Sequence, residues 1–134
     1  MKPFDLIYGD PAMIYDLMTM IIGDEIGRGQ SRVVFEHQFD ENVVVKIALN
    51  KTGVLCNVTE FNAWQDAGKL QRYLAQPTYL SPNGNVLFMK RTKPVDKVPR
   101  SFPKLFTDQH VDNFGMLDGK VVMHDYGNQK FFVR

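Results

Sequence analysis

The chain has 134 residues, 44% hydrophobic and 12% aromatic, enough for one domain with a core of its own. Sixteen Lys plus Arg against 15 Asp plus Glu leave a net charge of +1, which makes no electrostatic case for nucleic acid or an anionic membrane as partner. A lone Cys56 excludes an intramolecular disulfide framework and fits a reducing, cytoplasmic compartment, where it reads as a small buried hydrophobe rather than a nucleophile.

Residues 11–22 are rich in apolar side chains, but Asp16 interrupts them, they are too short to span a membrane, and no small-residue cleavage site follows. Asp10 before Pro11 is a helix start. Met13, Ile14, Leu17, Met18 and Ile21 then recur at helical spacing, so residues 1–22 read as a helical extension packed on the domain.

Residues 26–35, IGRGQSRVVF, read as strand, turn, strand. Gly27 and Gly29 allow a tight turn whose backbone N–H groups can approach a phosphate; alone, the pair equally suits an ordinary hairpin. After a turn at Asp40-Glu41-Asn42, residues 43–48 form an apolar strand broken only by Lys46. A buried ammonium is costly without an anion, so Lys46 asks for a carboxylate, a phosphate or both. A helix is expected over residues 57–67, with Asn57 as N-cap, Phe61 and Trp64 on the buried face, and Gly68 as its stop. Glu60 lies three residues after Asn57, so it fits a capping box; it equally fits an ion pair with Lys46. Residues 69–75 continue as a second short helix.

Residues 77–80 and 86–90 read as strands joined through Asn83-Gly84, a strong hairpin signal. Residues 94–104, with Pro99 and Pro103, form an irregular linker. Residues 114–117 and 121–123 flank Asp118-Gly119, a second hairpin. Around that hairpin stand Asp108, Asn113 and Asp125: carboxylates and an amide of the kind that orient a nucleophile and hold a hard divalent cation. His37 and His124 read as surface or strand residues, and no pair of histidines has zinc-ligand spacing.

In order, these motifs resemble the protein-kinase-like superfamily, including its aminoglycoside and choline phosphotransferase branches, over roughly residues 24–127. Ile26-Gly27-x-Gly29 with Val34 is similar to the glycine-rich loop and the strand behind it, and Val45-Lys46-Ile47-Ala48 to the strand with the phosphate-binding lysine. Glu60 falls where the lysine's ion-pair partner is carried. Met89, Lys90 and Thr92 fall where adenine is met, with Met89 at the gatekeeper end. Asp108 and Asn113 have the spacing of the catalytic loop, and Asp125-Tyr126-Gly127 stands in place of Asp-Phe-Gly. The resemblance implies ATP and Mg2+ as cofactors. It makes Lys46, Glu60 and Asp108 the catalytic set, gives nucleotide binding to Gly27, Gly29, Val34, Lys46, Met89, Lys90 and Thr92, and gives the metal to Asn113 and Asp125.

Several residues depart from that pattern. Arg32 holds the place of the third glycine, and Phe106-Thr107 replaces the usual His-Arg before Asp108, which argues against control by a phosphorylated activation loop. Asp108 stands only 15 residues after Lys93 and seven residues follow Gly127, too few for the helices and substrate platform of a full C-terminal lobe. The expectation is one truncated kinase-like domain: an N-lobe over residues 23–93, the linker, and a catalytic-loop and metal-binding hairpin over residues 105–134. Such a chain resembles reduced phage or bacterial kinase-like proteins, in the phage case working in the host cytoplasm. The fold class is α+β, a twisted antiparallel sheet of about five strands with one main helix and a C-terminal β-hairpin.

Two functions follow from the resemblance. One is a minimal phosphotransferase, in form a protein kinase, passing the γ-phosphate of Mg-ATP to a hydroxyl on a protein or small molecule. The other is a catalytically impaired remnant that binds nucleotide or regulates a macromolecule. Either can use a partner, or a second copy of the chain, as the absent lobe.

Overall fold

The structure, a computed structural model, describes residues 18–127. Strands β1 (Ile22–Arg28), β2 (Arg32–His37) and β3 (Asp40–Ala48) run as a meander. Helix α1 (Lys51–Asp66) and a 3-10 helix (Gly68–Tyr73) then lead to β4 (Pro77–Leu80) and β5 (Val86–Lys90). The five strands form one antiparallel sheet in the order β1-β2-β3-β5-β4. A 3-10 turn (Val111–Asn113) precedes a separate two-stranded hairpin, β6 (Phe114–Leu117) and β7 (Lys120–Met123). The α+β class, the five-stranded antiparallel sheet and the single main helix are those expected.

The central strand β3 is apolar on both faces because both faces are covered. Val44 joins Leu87, Met89 and Ala63 in a core against α1, while Val45 packs with Val86 and Met18 on the opposite face. The helix expected over residues 11–22 lies mostly outside the described residues; residues 18–21 are helical, and Ile22 already opens β1.

Helix α1 starts six residues earlier than the Asn57 start that sequence suggests. Its N-cap is Asn50, whose side chain accepts from Gly53 N at 3.1 Å. Thr52, Gly53 and Val54 are weak helix formers, which hid the first turn. Gly53 is needed there: a Cβ at that position would lie 2.1 Å from Ser31 O. Asn57 is therefore a buried helical residue, and Gly68 (φ +55°) follows as the expected stop.

The hairpin turn between β6 and β7 has positive φ at both Asp118 and Gly119, the type I′ form that suits strand twist. The linker over residues 94–104 is irregular, as expected, yet it supplies core. Phe102 is buried, as is Phe106 just beyond it, and Phe102 stacks edge-on against Phe114 at 4.8 Å. The hairpin is tied to the end of the sheet by two hydrogen bonds exchanged between Lys93 and Met116, at 2.9 and 2.7 Å. Gly115 lets them approach, since a Cβ there would come within 2.0 Å of Thr92 Oγ1.

Candidate functional site

Alternation along β3 puts Lys46 on the same face as Val44, toward α1, where Glu60 sits about two and a half turns from the helix start. Lys46 Nζ lies 2.9 Å from Glu60 Oε1, and both side chains are buried. Two open alternatives thus close: Lys46 is paired, and Glu60 serves the ion pair rather than a capping box.

Glu60 takes more than the lysine. Arg32 meets it as a fork, Nη1 to Oε1 and Nη2 to Oε2, both at 2.8 Å. The backbone N–H groups of Tyr126 and Gly127 donate to Oε2 at 3.0 and 2.9 Å. Five donors on one carboxylate offset the cost of burying it. Burial works against the Glu60 charge, but Lys46 and Arg32 outweigh it and hold its pKa down to about 2. Burial opposes the Arg32 charge as well, and there Glu60 and Asp125 outweigh it and hold the guanidinium above its ordinary pKa.

Arg32 opens β2 immediately after the glycine loop and joins that loop to the rest of the site. Its Nη1 also donates to Asn57 Oδ1 at 3.0 Å, and its Nη2 to Asp125 Oδ1 at 3.0 Å. Asn57 passes the connection on, donating to Gly84 O at 2.9 Å. The loop itself closes through Gly29 N to Arg32 O at 2.9 Å, and Gly27 and Gly29 are not buried. Val34 stands beside Lys46 in the ladder and packs on the core facing α1.

Lys46 also donates to the backbone carbonyl of His124. The His124 ring is fixed at both nitrogens: Nε2 faces the Asp112 carbonyl at 2.8 Å and Nδ1 faces Thr92 Oγ1 at 2.6 Å. A carbonyl can only accept, so Nε2 carries the proton and Nδ1 accepts from the threonine hydroxyl. Burial, and then the Lys46 charge, lower the His124 pKa. His124 is therefore a joint between Thr92 and the loop before the hairpin, in place of the surface or strand residue expected.

The remaining predicted residues are spread around this cluster. Met89 is fully buried opposite Val44, and Lys90 pairs with Val43 at the strand end. Lys90 also lines a shallow cavity of about 140 Å3 with Trp64, Leu117 and Lys120, away from Lys46. Asn113 Nδ2 donates to Asp108 O at 3.2 Å, and Asn113 O accepts from His124 N at 2.9 Å. Asp108 is exposed, and among the described residues no hydrogen bond or ion pair joins it to the Lys46–Glu60 cluster.

Asp125 is half exposed and commits one oxygen to Arg32. Its other oxygen and the Asn113 amide oxygen are the hard donors a divalent cation could use. No three His, Cys, Asp or Glu side chains converge among the described residues, so the cation would lean on ligands beyond the protein. Arg32, Asn57, His124 and Gly115 are the residues that sequence reasoning missed as site members. Only Arg32 left a signal: a cation opening an apolar strand, Val33-Val34, needs anionic partners as Lys46 does.

No protein-family model matches this chain, and no curated protein matches it.

Proposed function

We propose that the chain is a kinase-like, ATP-dependent phosphotransferase that passes the γ-phosphate of ATP to a hydroxyl acceptor, most simply on a protein. The observation that carries this reading is the buried Lys46–Glu60 pair at 2.9 Å, with Asp125-Tyr126-Gly127 docked on the same carboxylate. A lysine held this way is fixed in direction and keeps an N–H for a phosphate oxygen. In this reading the five-stranded sheet and α1 form a kinase-like N-lobe. The glycine loop covers the phosphates, and the strand end at Met89, Lys90 and Thr92 meets the base.

Asn113 and Asp125 would hold Mg2+, which would neutralise phosphate charge when bound. The chain's own residues do the rest. Asp108 takes the proton of the acceptor hydroxyl, whose oxygen bonds to the γ-phosphorus as the bond to the bridging oxygen of ADP breaks. The exposure of Asp108 suits an acceptor that arrives from outside, on a partner or on a second copy of the chain.

The test is Mg2+-dependent release or transfer of labelled γ-phosphate, beside nucleotide binding by calorimetry. Asp108→Asn should lower turnover by roughly 10² to 10⁴ and leave nucleotide affinity nearly unchanged. Wild-type protein that binds no nucleotide would remove the enzyme reading. One observation favours the second reading, a remnant serving as an interaction protein: Arg32 already occupies an oxygen of Asp125. Nucleotide binding without any turnover would select it.

A further inference from the structure

Four charged side chains touch one another at the site. Arg32 and Lys46 both contact Glu60, and Arg32 also contacts Asp125. Two positive and two negative charges sum to zero. Without Arg32 the same set would carry a net negative charge, and a polyphosphate would be repelled until a divalent cation arrived. Arg32 is held in place to supply that charge. It is buried, and all four hydrogens on its Nη atoms are used, by Asn57, Glu60 twice and Asp125.

We propose that Arg32 stands in for part of the divalent cation's charge, so that the site binds a nucleoside triphosphate without metal and needs metal only for transfer. This rests on the nucleotide-binding reading above. The guanidinium neutralises the Asp125 carboxylate from the protein side. Lys46 and the backbone N–H groups of the glycine loop then receive the phosphates. The second Asp125 oxygen remains for a cation that arrives with the nucleotide.

The experiment is calorimetric binding of ATP to the full chain in EDTA and again in excess Mg2+. The expected result is affinity in EDTA within about tenfold of that in Mg2+. Binding that appears only with Mg2+ overturns this inference and leaves the phosphotransferase reading standing. Binding under neither condition overturns both. Arg32→Gln should weaken binding in EDTA by about a hundredfold, with Mg2+ restoring most of it. Should that variant fail to fold, Asp125→Asn serves instead. It removes the negative charge, so binding in EDTA should hold or tighten and Mg2+ should no longer improve it. Loss of EDTA binding in folded Asp125→Asn counts against the inference.

Discussion

The carboxylate of Glu60 is where the burial of charge in this protein is resolved. Two cations lean on it, and it is fully buried. Among the described residues, replacing it by Gln would leave Arg32 with Asp125 as its charged partner and Lys46 with neutral acceptors alone. Removing one partner of a buried pair commonly costs about 3 to 5 kcal/mol, so Glu60→Gln should fall in that range. Lys46→Met should cost distinctly less, because Glu60 would keep the Arg32 fork and both backbone donors. Urea midpoints of the two variants decide this; equal losses would mean that Glu60 organises the cluster no more than Lys46 does. The pair itself was legible in the sequence, since a lysine inside residues 43–48 demanded an anion. The arginine fork was not, because the place of Arg32 beside a glycine loop gave no measure of how deeply its side chain turns inward.

Among the elements, α1 was the one whose boundary was misplaced, and the cause is packing over propensity. Its first turn runs against the glycine loop. Leu49 N donates to Ser31 O at 2.7 Å, and Asn50 reaches Gln30 O at 3.1 Å. A glycine in a helix costs about 1 kcal/mol relative to alanine, so Gly53→Ala would ordinarily stabilise. Here the added carbon would meet Ser31 O at 2.1 Å and the Ala48 backbone at 3.0 Å. We expect the sign to reverse, with a loss of about 1 to 3 kcal/mol by urea unfolding and faster amide exchange at Leu49. A gain in stability would show that the loop can withdraw freely from the helix. Both hairpins, by contrast, were legible, the first to the residue and the second to within one, since β7 opens at Lys120 rather than at 121. Asn83-Gly84 and Asp118-Gly119 are turn signals carried by adjacent residues. The joining of the second hairpin to Thr92 depends on Gly115, a contact between distant segments that spacing alone does not encode.

At the scale of the whole molecule, the cluster and the His124 joint tie sheet, helix, linker and hairpin together, so acid should loosen them in two stages. The folded protein holds His124 below its ordinary pKa of 6.5 and Glu60 at about 2 instead of 4.5. Both values are depressed, so each group stabilises the fold above its unfolded pKa and loses that contribution as pH falls. A first decline should begin as pH drops through 6.5, when His124 of the unfolded chain takes a proton that burial, the Lys46 charge and the Thr92 hydroxyl on Nδ1 resist in the folded one. A second should run from about 4.5 toward 2, where Glu60 gives up roughly 3 kcal/mol. Urea unfolding at pH 8, 5.5 and 3.5 measures both. His124→Gln cannot titrate, so its stability should be flat between pH 8 and 5.5 while the lower decline persists. A His124→Gln curve parallel to wild type through the upper window would assign that decline to other groups.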